Sequence, residues 1–209
     1  MTGARTSVLG PVVVVLLSMA LGTVIAIAAA WRGGWVDSTL SMIMDILFAF
    51  PAILLAVLTA AVFGAGLVAP TFAPTVALAI AYTPYIARVL RSAPVRERAR
   101  DYIAAGEVQG LSTFSTCFRH LLPNLGELFV AQATLVFAWA MVDLAAISFL
   151  GLGVQAPTAD WGVMLSTGES GVLQGYPLES ISEGLCIVLV VVAVNLLGER
   201  LADRNEEGR

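Results

Sequence analysis

"ILFAFPAILLAVLTAAVFGAGLVAPTFAPTVALAIAYTPYIA", residues 46–87, runs for 42 positions without a charged side chain. A helix crossing the hydrocarbon core of a bilayer needs roughly 20 apolar residues. The run therefore holds two crossings, and "FGAGLVAPTFAP" (63–74) supplies the turn between them. A second uncharged run, residues 6–31, is long enough for a third. The 209-residue chain is 58% hydrophobic and 12% charged, with a mean hydropathy of +0.88. A soluble domain carries about 25% charged residues. The pattern is that of an all-α integral membrane protein, a single transmembrane domain over residues 1–209.

Five spans are expected, at about 8–31, 51–67, 72–92, 127–149 and 182–198. The first superficially resembles a secretory signal, with Arg5, an apolar core and "AIAAA" (26–30), but its apolar run exceeds the usual 7–15 residues of such a core. Between the first two spans, Met42, Ile43, Ile46, Leu47 and Phe50 recur at helical spacing opposite Asp37 and Asp45. That spacing predicts an amphipathic lead-in helix. Pro51 then opens the next span, where a missing N–H costs least.

All 11 basic residues are Arg. A phosphate-binding Walker loop needs a Lys, so this chain holds no standard one, and any ATP hydrolysis falls to a partner. Cys117 and Cys186 lack metal-type spacing, and His120 is the single histidine; neither a His-rich metal centre nor a cofactor site is expected. Arg88, Arg91, Arg96, Arg98, Arg100 and Arg119 lie between spans three and four, whereas 151–181 has Asp160, Glu169 and Glu179 and no base. An Arg excess marks the cytoplasmic side, which predicts a cytoplasmic loop at about 93–124 and an external one at about 151–181. Glu97, Asp101 and Glu107 interleave with these arginines, so the loop is not a nucleic-acid site. Arg88 and Arg91 read as anchors snorkelling from the end of span three, and Trp161 and Tyr176 as interface anchors.

The polar stretch "RDYIAAGEVQGLSTFSTCFRHLLPN" (100–124) predicts a short helix from Asp101 to about Leu111. Asp101 suits its positive end and Gly110 its finish. Gly106 and Gly110 share a face that permits close approach. Gly inside a helix costs roughly 1 kcal/mol against Ala, so the face serves something other than local stability: either packing on the protein's own spans or docking of a soluble partner.

"DYIAAGEVQG…HLLPN" resembles the EAA loop of ABC-importer permeases. Ala104, Ala105 and Gly106 fall on its triplet, Gly110 on its glycine, and Leu121, Leu122 and Pro123 on its closing element. "GGWVDSTLSMIMDILFAFPAILLA" (33–56), "TPYIARVLRS" (83–92) and "SFLGLGVQAPTADWGVML" (148–165) are similar to the C-type permease of dipeptide, oligopeptide and nickel importers. The resemblance implies a type I ABC importer transmembrane domain in the inner or plasma membrane. It implies as partners a second permease subunit, ATP-binding cassette subunits that bind the ATP, and an extracytoplasmic solute-binding protein. The chain would form half of a translocation pathway, catalysing nothing covalent and coupling to the ATPases through Ala104, Ala105, Gly106, Glu107, Gly110, Leu122 and Pro123. Di- or oligopeptides are the expected solutes, with nickel, opines and glutathione open.

The sequence departs from the family at Ala104, where the family carries Glu, and at Gly106, where it carries Ala; Glu107 is the acidic residue that could substitute. The family has six spans against the five expected here, which implies a leading span upstream of Met1. A carboxylate inside a span is by default a functional feature. Asp143 is such a residue, and it either lines the pathway or bonds across helices; the sequence names no Arg partner within a span. A self-sufficient secondary transporter or channel is the alternative class, and it would need coupling-ion chemistry that Asp143 alone would have to supply.

Overall fold

The computed structural model describes residues 2–63, 72–98 and 126–207, with side chains for 3–63, 72–92 and 126–203. The described residues form seven helices: α1 (Thr2–Arg32), α2 (Gly34–Phe48), α3 (Ala52–Phe63), α4 (Phe72–Arg98), α5 (Gly126–Phe149), α6 (Trp161–Leu173) and α7 (Leu178–Glu207). Four of them, α1, α4, α5 and α7, are long and apolar enough to cross a bilayer. The second expected span, 51–67, is seen as the 12-residue α3, about 18 Å long. It meets α2 at a bend of 75°, and the pair makes a fifth crossing only if taken as one broken span.

Pro51 causes the break. Its ring disfavours the helical conformation for Phe50 before it, and its carbonyl accepts from the Leu54 and Leu55 amides to start α3. Pro11 inside α1 is tolerated differently: it is buried against neighbouring helices, a setting in which a spanning helix accommodates the lost hydrogen bond.

The core forms where α1, α3 and α5 pack around α4. Val14, Ala26, Ala56, Ala60, Leu78, Ile86, Leu90, Val136 and Ile147 meet there. Small residues allow the close approach, as expected where lipid gives no hydrophobic drive between helices. A Cβ on Gly22 of α1 would stand 2.5 Å from Ile86 Cγ2 of α4. Helix α7 packs on α5 through Val190, Val191 and Val194 beside Phe137, Met141 and Trp161, and it turns Leu185, Val188, Leu189, Val192 and Leu196 outward.

Trp161 is an interior residue, 9% exposed and packed with Phe137 and Met141, not an interface anchor; Tyr176 is exposed. The 151–181 segment contains the 13-residue α6. The lead-in helix α2 exists as predicted, and its apolar side points away from the bundle: Met42 is 65% exposed and Ile46 52%. Its two acidic residues lie toward α4 instead, Asp37 half-buried and Asp45 exposed.

Candidate functional site

The coupling residues Ala104, Ala105, Gly106, Glu107, Gly110, Leu122 and Pro123, with Cys117 and His120, lie outside the described residues. The structure does describe the end of α4 that leads toward them. There Arg88 and Arg91, three residues apart and so on one face, reach α2. Arg91 Nη2 pairs with Asp37 Oδ2, and Arg88 Nη2 with Asp45 Oδ1. The Arg88 guanidinium also lies 5.0 Å from the centroid of the Phe48 ring. Both arginines thus engage α2, through partners that their reading as snorkelling anchors did not name. The pairs border a cavity of about 400 Å³ lined by Ala26, Ser41, Asp45, Ala87, Arg88 and Arg91, among others. Asp37 Oδ1 and Arg91 Nε are shut off from solvent with no hydrogen-bond partner among the described residues.

The opposite end of the bundle is fixed by one carboxylate. Asp160 caps α6, accepting from the Gly162 amide at 2.9 Å and the Val163 amide at 3.4 Å, and it is 5% exposed. Its other oxygen accepts from Ser7 Oγ on α1 at 2.6 Å, and the same Ser7 oxygen accepts from the Trp161 amide at 2.9 Å. Asp is a strong N-cap residue, so Asp160 ahead of Trp161 was the signal for α6. A cavity of about 540 Å³ opens beside this latch, bordered by Arg5, Gly10, Thr75, Leu144 and Asp160.

Between these ends lies Asp143. It sits on α5 six residues before that helix ends, and Tyr82 Oη of α4 donates to its Oδ2 at 2.6 Å. The expectation of a bond across helices is met by a tyrosine rather than an arginine. Trp139, one turn earlier on the same face, has its ring 5.9 Å from that of Tyr82 and 4.9 Å, edge to face, from that of Tyr85. Leu135 and Val142, close to Trp139 around α5, are exposed, whereas Tyr82 is buried in the core. Sequence reasoning singled out Asp143 without its aromatic neighbours. Their signal was positional: Tyr82 and Tyr85 at i, i+3, and Trp139 and Asp143 at i, i+4.

Residues 10–208 match the family described as binding-protein-dependent transport system inner membrane component. The chain is 37% identical over 201 residues to the dipeptide transport system permease protein DppC of Alkalihalophilus pseudofirmus, covering 96% of this chain and 64% of that protein. It is 37% identical to the di/tripeptide transport system permease protein DppC of Pseudomonas aeruginosa and 35% identical to the glutathione transport system permease protein GsiD of Pectobacterium atrosepticum; each match covers 96% of this chain and 65% of the relative. The chain thus spans slightly less than two thirds of these relatives' length. Its fold is similar to a chain of the inward-facing MetNI methionine ABC transporter, with a TM-score of 0.69, 20% identity, and coverage of 98% of this chain and 96% of that one. The type I importer fold expected from the sequence is the fold found.

Proposed function

The chain belongs to the family of binding-protein-dependent transport system inner membrane components, and on that premise we propose that it is a permease subunit of an ATP-driven importer of di- or oligopeptides. The observation that carries this reading is the match to peptide permeases along 96% of the chain. Its partners in this reading are a second permease subunit, ATPases that bind and hydrolyse the nucleotide, and an extracytoplasmic solute-binding protein. The subunit itself performs no covalent chemistry.

The architecture supports the division of labour. The Tyr82–Asp143 bond ties α4 to α5 beside Trp139, which is 39% exposed, and in this reading a second permease packed over that exposed part of α5 encloses a pathway. The arginine-bearing end of α4, with Arg88 and Arg91, leads to residues 99–125, which in this reading lie on the cytoplasmic side and meet the ATPases. Reconstitution tests the reading: proteoliposomes holding this subunit with its partner permease, ATPases and binding protein are expected to accumulate labelled dialanine only with internal ATP. Accumulation driven by an ion gradient without ATP would refute it.

A further inference from the structure

We propose that Asp143, bonded to Tyr82 beside the clustered rings of Trp139 and Tyr85, is a transit site for a protonated amino group, the ammonium end of a peptide as it crosses the bilayer. The inference rests on the importer reading above and adds a residue-level solute contact to it.

An ionised carboxylate within a span is unfavourable unless a cation or several donors answer it. Asp143 has one donor among the described residues, the Tyr82 hydroxyl on Oδ2, which leaves Oδ1 without a hydrogen bond there. The nearest arginine along α4, Arg88, is already held by Asp45. The carboxylate is therefore oriented by Tyr82, with no cation paired to it among the described residues. What surrounds it is aromatic rather than polar. Trp139 is 39% exposed, and its ring stands against those of Tyr82 and Tyr85. Tryptophan and tyrosine faces attract a cation within about 6 Å of the ring centre. An ammonium group has the charge for the carboxylate and the cationic character that aromatic faces attract. A carboxylate solute or a neutral amide end is repelled or gains nothing. Tyr82 is a positioning residue here: it fixes the carboxylate's direction without touching the solute.

Uptake of dialanine by the reconstituted complex separates this role from a purely structural one. Asn at 143 can still accept the Tyr82 hydroxyl, whereas Phe at 82 removes that bond and keeps the carboxylate. A transit site predicts that Asp143→Asn lowers kcat about tenfold with KM, set by the binding protein, unchanged. Asp143→Glu stays within about threefold of wild type, and Tyr82→Phe costs less than Asp143→Asn. Trp139→Leu slows uptake several-fold, and Trp139→Phe, which keeps a ring, recovers most of it. If Tyr82→Phe is as damaging as Asp143→Asn, or Asp143→Asn transports normally, the site is overturned while the importer reading stands. A wild-type complex that takes up no dialanine would sink the importer reading itself.

Discussion

Arg91 of α4 holds Asp37 of α2 in an ion pair whose acidic side chain is only 23% exposed. With Arg88 and Asp45 beside it, the pair fixes both the register and the crossing of a helix whose other face is apolar. Two charges of one sign on α2 answer two of the other on α4, so the match can be inverted.

Reversing it is the direct test. Asp37→Arg alone puts like charges together, and thermal unfolding in detergent is expected to show a loss of about 1–3 kcal/mol, between the values for exposed and buried pairs. Arg91→Asp alone does the same. The double reversal is expected to regain most of the loss, with a coupling energy of about 1–2 kcal/mol in the double-mutant cycle. Strictly additive effects would show that the pair contributes nothing.

The Asp160 latch predicts a localised effect. Asp160→Ala removes the cap of α6 and the Ser7 bond together, and is expected to cost about 1–3 kcal/mol. Hydrogen exchange should accelerate in 161–173 and at the start of α1, and not in α7. Ser7→Ala removes only the bridge and is expected to cost about 1 kcal/mol. Uniform acceleration over the whole chain would contradict a local latch.

Two glycines should respond in opposite directions to the same substitution. A Cβ at Gly162 would lie 2.3 Å from the Ala145 carbonyl oxygen, a backbone atom of α5 that cannot easily retreat; a Cβ at Gly184 of α7 meets nothing within 4 Å. Gly162→Ala is expected to destabilise by about 1–3 kcal/mol. Gly184→Ala is expected to stabilise by up to about 1 kcal/mol through helix propensity. Melting temperatures of the two purified variants check the contrast.

The coupling proposal has its own variant. Gly110→Leu blocks the small-residue face predicted for 101–111. The assembled complex is expected to hydrolyse ATP without the stimulation that loaded binding protein normally brings, and to lose uptake. Normal stimulated hydrolysis would show that this face does not dock.

The spanning helices were legible because lipid makes a coarse demand: a stretch without charges is visible in one dimension. Pro51 likewise announced the start of α3, since its effect on Phe50 is local. What could not be read is what depends on which helix lies alongside which. Arg88 and Arg91 sit at a span end, and from sequence that position suits snorkelling; only the crossing of α2 over α4 reveals Asp45 and Asp37 as their partners. Trp161 next to an apolar run suits an interface, yet α5 covers it with Phe137 and Met141. Asp143 was legible as a charge out of place, but its tyrosine lies 61 positions away.

The bend at Ala49–Pro51 has a mechanical meaning once both of its arms are followed. One arm, α2, is fastened to α4 by the two ion pairs. The other, α3, is seated in the core that surrounds α4 through Ala56 and Ala60. The three helices therefore close a triangle, with the bend as one vertex and α4 as the side common to the other two. A triangle, unlike a hinged pair of rods, cannot alter an angle while its joints hold. A displacement imposed on the arginine end of α4 is then expected to carry α2 with it and, through the bend, α3.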